Sequence, residues 1–135
     1  MVLLEWKAAY SVNIADVDKQ HKHLIDLINR LHAAILAGKA NEVLADILTD
    51  VAHYTVYHFE TEEKLFEEYD YPQSEAHKNE HANLVQQVTT LQKKLGEGEK
   101  VLTIDVMNFL RDWLQDHILG SDAEFGPFLN SKGVV

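Results

Sequence analysis

Seven side chains able to bind a metal recur along this chain at helical intervals: His21, His58 with Glu62, His77 with His81, and His117 with Asp122. Residues four apart on an α-helix stand one above the other on one face. His58/Glu62 and His77/His81 are therefore facing pairs, each able to offer two ligands from a single helix. His21 and the His117/Asp122 pair would close the cage from two further helices. Five imidazoles and two carboxylates meeting at one point need four helices around that point, and they suggest one buried dinuclear site.

Apolar periodicity supplies those helices. After an arm over 1–17, anchored by Trp6 and Tyr10, Asp16 or Asp18 can cap a first helix. Its stripe is His21, Leu24, Ile25, Ile28, Leu31 and Ile35, ending at Gly38. Asn41 can cap a second, whose inward face runs from Leu44 through Ile47, Leu48, Val51, Thr55, His58, Glu62 and Leu65 to Phe66, before Pro72. Ser74 can cap a third, with Leu84, Val85, Val88, Leu91 and Leu95 on the face of His77 and His81, stopped by Gly96. Thr103 opens a fourth, with Val106, Phe109, Leu110, Trp113 and His117 inward before Gly120.

Short loops make these helices antiparallel neighbours. The expected fold is all-α: an up-down-up-down antiparallel four-helix bundle over 18–122, an irregular N-terminal arm over 1–17 and a C-terminal tail over 123–135, together one domain. In that topology the early part of helices one and three lies level with the late part of helices two and four. All seven side chains then converge at one end of the bundle. His117 and Asp122 are five apart, which on a regular α-helix is about 500° of rotation and leaves them roughly 140° off a common face. A helix that loosens at Gly120 could swing Asp122 back, and Pro127 fits a chain leaving the helix there.

Composition narrows the partners. Twelve basic against twenty-two acidic residues give a formal net charge of −10, which disfavours nucleic acid and anionic lipid as partners and favours solubility. With no Cys, any metal must be held by nitrogen and oxygen. The first ten residues lack the layout of a secretion signal, and no apolar run approaches the roughly 20 residues of a membrane span. A soluble, cytoplasmic monomer without membrane insertion is expected.

The motifs DKQH at 18–21, HFETEE at 58–63, HKNEH at 77–81 and HILGSD at 117–122 together resemble the hemerythrin family, in its single-domain bacterial form, over nearly the whole chain. The resemblance implies a non-haem di-iron centre that binds O2 reversibly. By that resemblance His77, His81 and His117 hold one iron, His21 and His58 hold a second with an open position, and Glu62 and Asp122 bridge the two. A solvent-derived oxo or hydroxo group is the implied third bridge. The protein would then be an oxygen carrier, store or local supplier to an oxygen-consuming enzyme, and not itself an enzyme.

The ligand types agree with this chemistry. Imidazole suits iron, and two carboxylates with one hydroxide leave about one of the four charges of a diferrous pair, which makes burial tolerable. Two ferrous ions can lend one electron each to O2, and since nothing leaves, the step can reverse. An apolar wall around the open position would exclude water and protons. Leu114, three residues before His117, is the candidate for that wall, with Trp113 and Phe59 beside it. Both aromatics also read as ordinary core residues.

A lone His on an apolar stripe is more often a hydrogen-bonded core residue than a ligand, but seven such groups in register without metal would be a concentrated buried polar cost. His23, His32 and His53 have no such partners and are read as surface residues or as support for the ligands. Asp18 or Thr55 could accept from an imidazole, though a helix cap and a bond to the helix backbone are the simpler uses. The acidic run Glu60, Glu63, Glu67, Glu68 and Asp70 reads as a solvated face. Three rivals stand: a di-iron oxidase, peroxidase or iron store of ferritin-like type, disfavoured by the excess of His over carboxylate; a module sensing O2, nitric oxide or iron; and a zinc or other structural metal site.

Overall fold

The computed structural model describes residues 3–99 and 101–135. Four long helices, α1 (Ala15–Leu36), α2 (Ala40–Glu68), α3 (Ser74–Gly96) and α4 (Thr103–Asp116), form the antiparallel bundle expected from the periodicity. α1 packs along α2 and α4, and α2 along α3. The predicted stripes face inward: Leu24, Ile25, Ile28 and Leu31 from α1, Leu44, Ile47, Leu48 and Val51 from α2, Leu84 and Val88 from α3, and Val106 and Leu110 from α4 are all buried. At about 25 cal/mol per Å² of apolar surface, this burial is the main force that holds the helices together.

Several helix ends differ from the sequence reading. None of the expected caps makes a capping bond: Asp16, Asp18, Asn41 and Ser74 all fall inside the first turns, because each helix starts at or before them, while α4 opens at Thr103 as expected. Asp18 instead accepts from the Ser11 hydroxyl and from the Val12 backbone N–H, and so ties the arm to α1. Asn41 accepts from the Thr103 hydroxyl at 3.2 Å, joining the starts of α2 and α4. Gly38, with φ of 72°, lies just past the end of α1 as expected. α3 ends at Gly96 as expected, with left-handed Gly98 just beyond it, whereas α2 ends at Glu68, before left-handed Asp70 and well short of Pro72.

The described part of the arm is anchored at several points. Leu4 and Tyr10 are buried in the main core, and Asn29 of α1 both donates to the Leu4 carbonyl and accepts its N–H. Trp6 is half-buried, edge-on to Tyr10, with Lys22 Nζ 4.9 Å from its ring centre. Both expected anchors are therefore engaged.

The end of α4 departs most from expectation. His117–Asp122 continue as a π-helical turn and run directly into a further helix, α5 (Ala123–Ser131), where a tail was expected. Pro127 lies inside α5 and does not mark the exit from helix; it removes one backbone bond, yet Phe125 and Leu129 on either side are fully buried. They join Val12, Ile14, Val17, Phe66 and Tyr71 in a second apolar cluster. That cluster closes the end of the bundle where the seven metal-type residues lie.

Candidate metal centre

All seven predicted side chains come together, and all seven are buried, with His21, Glu62 and Asp122 at 0% exposure. Helix direction does this: His21 lies near the start of α1, His58 and Glu62 late in α2, His77 and His81 early in α3, and His117 at the end of α4. Asp122 arrives by the π turn. Such a turn holds more residues per revolution than an α-helix, so a five-residue spacing becomes nearly one full turn.

The donor atoms are closely grouped. Asp122 Oδ2 is 2.7 Å from His21 Nε2, while its Oδ1 is 2.9 Å from His77 Nε2 and 3.0 Å from His117 Nε2. Glu62 Oε1 is 3.2 Å from both His58 Nε2 and His81 Nε2 and 3.6 Å from His117 Nε2. Two four-membered sets fit one ion each: Glu62, His77, His81 and His117 in one, His21, His58, Glu62 and Asp122 in the other. Metals of this class hold N and O donors at about 2.1 Å, so adjacent donors around one ion stand about 3 Å apart.

Hydrogen bonding tests whether the residues fit a metal. Among the described residues, eleven buried side-chain N and O atoms have no hydrogen-bond partner, and every one belongs to these seven residues. Their close N···O approaches lack hydrogen-bond alignment, because the lone pairs face a common space and not one another. Buried polar atoms are almost always satisfied. Cations among them would satisfy the nine that face the common space, all but His21 Nδ1 and His81 Nδ1.

Charge gives the same answer. Burial pushes the Glu62 carboxyl up, but His58 and the other imidazoles around it outweigh this and hold it well below the usual range. Asp122 is likewise held below its ordinary value: burial and Glu62 push it up, and His117 and His21 outweigh them. Burial pulls His117 down, yet Asp122, Glu62 and Glu80 raise it well above the usual imidazole value. His81 falls below that value because burial outweighs its pairing with Glu62. The layer thus holds two carboxylates in the ionised form and attracts positive charge.

Aromatic rings insulate this polar layer. Phe59 stacks on His81 at 3.8 Å and 6°, Trp113 stacks on His117 at 4.6 Å, and Phe66 and Phe125 lie 4.7 and 5.3 Å from His77. One helical turn further into the bundle, a cavity of about 20 Å³ is lined by Leu24, Thr55, Leu84 and Leu114, with Leu110 and Trp113 among its other walls. The first four stand three residues from His21, His58, His81 and His117, so they form the next layer of the bundle. Two of the expected pocket residues, Leu114 and Trp113, line this cavity. Phe59 serves instead as the face against His81.

Three contacts to the imidazoles were not apparent from the sequence. Gln20, 5% exposed, places Oε1 2.6 Å from His58 Nδ1, and its amide donates to the Thr61 hydroxyl at 3.2 Å. Glu80 Oε1 lies 3.3 Å from His117 Nδ1, and its other oxygen accepts from the Ser121 hydroxyl. The pairing with His117 lowers the Glu80 pKa, with Ser121 adding to it. Glu63 Oε2 is 3.8 Å from His81 Nδ1, so this member of the acidic run is not simply a solvated face; burial raises its pKa. Thr55 donates to the Val51 and Ala52 carbonyls of its own helix, and His23 lies against Tyr54 at 4.0 Å on the surface.

Comparison with known proteins decides the family. Residues 12–129 match the Hemerythrin HHE cation binding domain. The chain belongs to the hemerythrin family. A bacteriohemerythrin from Methylococcus capsulatus is 38% identical over 134 residues, covering 97% of this chain and 100% of the relative. One from Pseudomonas aeruginosa is 33% identical, covering 93% and 80%, and a hemerythrin-like protein from Naegleria gruberi is 32% identical, covering 96% and 92%. A solved wild-type hemerythrin superposes with a TM-score of 0.85 at 37% identity, covering 93% of this chain and 96% of that one. The matching family model describes a cation binding domain, and this chain has two groups of buried His, Glu and Asp residues that could hold metal ions. Among the described residues no helix is long and apolar enough to cross a membrane.

Proposed function

We propose that this hemerythrin-family protein binds O2 reversibly at a di-iron centre and serves as an oxygen carrier, store or local supplier to an oxygen-consuming enzyme. The observation that carries the reading is the set of nine partnerless buried donor atoms that face one another, on seven residues that fall into two overlapping groups. In this reading His77, His81 and His117 hold one iron, His21 and His58 hold the other, and Glu62 and Asp122 bridge them. The placement of Asp122 supports the bridge, because its two oxygens face opposite sets of imidazoles. Two imidazoles against three would leave the His21/His58 position open to a further ligand.

When bound, the iron pair with its oxo or hydroxo bridge supplies two electrons that can be lent to O2 and recovered. The protein's part is to hold the donors and keep water away. Phe59, Phe66, Trp113 and Phe125 wall the polar layer, and the adjacent cavity has room for about one water-sized molecule beside Leu114. Carrier action in place of turnover is supported by this enclosure, since the apolar walls would keep water and protons from the site.

The test is anaerobic reduction of the iron-loaded protein, optical titration with O2, then removal of O2 under argon. A visible charge-transfer band that appears with O2 and vanishes without it is expected. Direct conversion to a stable diferric spectrum with no reversible stage would exclude carriage and point to an oxidase, peroxidase or sensor.

A further inference from the structure

The ring nitrogens that face away from the seven-residue cluster meet acceptors of unequal charge. His117 turns Nε2 toward Asp122 and Nδ1 toward Glu80, so its Nδ1–H donates to a carboxylate. His81 has the Glu63 carboxylate 3.8 Å from Nδ1, too long for a hydrogen bond but close enough to act as a charge. On the other side, His58 turns Nε2 toward Glu62 and Nδ1 toward Gln20, a neutral amide. The His21 Nδ1 is buried with no partner at all.

The orientation of the Gln20 amide follows from its neighbours. The His58 proton must sit on Nδ1 when Nε2 faces a metal, so the atom 2.6 Å away must be an acceptor, which is Oε1. Its Nε2 then donates to the Thr61 hydroxyl, which donates in turn to the Tyr57 carbonyl at 3.1 Å. Both ends of the Gln20 amide are thus held.

An imidazole that donates to a carboxylate takes on partial imidazolate character and becomes a stronger donor to its metal. A stronger donor favours the ion of higher charge. In the set His77, His81 and His117, one carboxylate accepts from His117 and another stands near His81, whereas an amide or nothing stands behind His58 and His21.

We propose that Glu80 and Gln20 are positioning residues that make the two metal positions electronically unequal, so that in the mixed-valent protein the ferric ion occupies the His77/His81/His117 position and the ferrous ion the His21/His58 position. The proposal rests on the di-iron reading above. Glu80 adds a mechanical role: its second oxygen holds Ser121, so one carboxylate grips the π turn at both the ligand His117 and the residue before Asp122. The Glu80 side chain is 43% exposed while Gln20 is almost fully buried, so solvent screens a charge at position 80 more than one at position 20.

The experiment compares iron-loaded wild type with Glu80→Gln, Gln20→Glu and the double exchange, by anaerobic spectroelectrochemical titration and Mössbauer spectra of the mixed-valent form. Glu80→Gln should raise the lower-potential step, with the ferric/ferrous equilibrium shifting tenfold or more, about 59 mV for a one-electron couple. Gln20→Glu should lower the higher-potential step by at least as much. The double exchange should narrow or invert the separation, and Glu80→Asp should restore part of the wild-type order. Both steps staying within threefold of wild type in the two single variants, with two irons retained, would overturn the proposal, as would Glu80→Gln moving the upper step instead. Should Glu80→Gln fail to hold iron, Gln20→Glu decides alone, because it keeps the side chain's shape and the Thr61 hydroxyl can turn to donate to it. These titrations contain no O2, so failure of reversible oxygenation leaves their result intact, whereas a wild type that cannot hold two irons removes both readings.

Discussion

Leu114 is buried one turn from His117 and borders the small cavity beside the metal layer, so its side chain sets how closed that space is. Leu114→Ala should enlarge the cavity, speed loss of the oxygenated form to the diferric state, and leave iron content unchanged. Stability should fall by about 2–5 kcal/mol, the usual cost of a buried Leu→Ala change. An unaltered lifetime of the oxygenated band would take Leu114 out of the pocket. Replacing Glu62 or His77 by Ala should act differently, lowering the iron bound per chain, and retention of two irons in either variant would refute the ligand assignment. Leu114 was singled out by its place three residues before His117 taken together with the family resemblance. Gln20 and Glu80 were not, since their partners lie 38 and 37 residues away and no local period links them. The one available signal was position: Gln20 precedes His21, and Glu80 lies between His77 and His81 within HKNEH.

Periodicity exposed the four long helices because each buries one continuous apolar face, and their antiparallel order alone brings the imidazoles level. Helix ends were less legible, because the chain satisfies its first turns by tertiary contacts such as Asp18 with Ser11 and Asn41 with Thr103. The fifth helix was hidden by Pro127, a local breaker overruled by burial of Phe125 and Leu129. Two glycines in this region should behave oppositely. Gly120 has nothing within 4 Å of a Cβ and no left-handed backbone, so the π turn does not depend on glycine there. Gly120→Ala should keep both irons and gain up to about 1 kcal/mol from helix propensity; loss of iron would show that the turn needs glycine's freedom. A Cβ on Gly126 would stand 3.0 Å from both Val12 Cβ and the Val12 carbonyl oxygen. Gly126→Ala should therefore push α5 from the arm and cost about 1–3 kcal/mol, read as a lowered midpoint in urea unfolding.

Across the whole molecule, a layer of seven buried polar side chains separates the main apolar core from the smaller cluster under α5. Metal binding to such a layer is coupled to folding, because the unfolded chain has no preformed site. Without metal, the layer is held by carboxylates paired with protonated imidazole. His117, whose pKa is raised, stabilises the metal-free fold fully below the ordinary imidazole value of about 6.5, and that contribution is lost as pH rises through its raised value. Glu62 and Asp122, whose pKa values are depressed, contribute above the ordinary carboxylate range and lose that contribution only as pH falls through their lowered values. Metal requires neutral imidazole, so loading near neutral pH must expel the His117 proton, and less expulsion is needed as pH rises. The stabilisation by ferrous ion should therefore grow with pH through the neutral range. At a hundredfold excess over the dissociation constant it should be about 2.7 kcal/mol, a rise in Tm of roughly 10 °C for a domain of this size. Anaerobic melts with and without ferrous ion at several pH values, together with proton release on loading in weak buffer, would measure both effects. An increment that stayed flat or shrank with rising pH, or loading without proton release, would mean that His117 does not carry the proton that metal displaces.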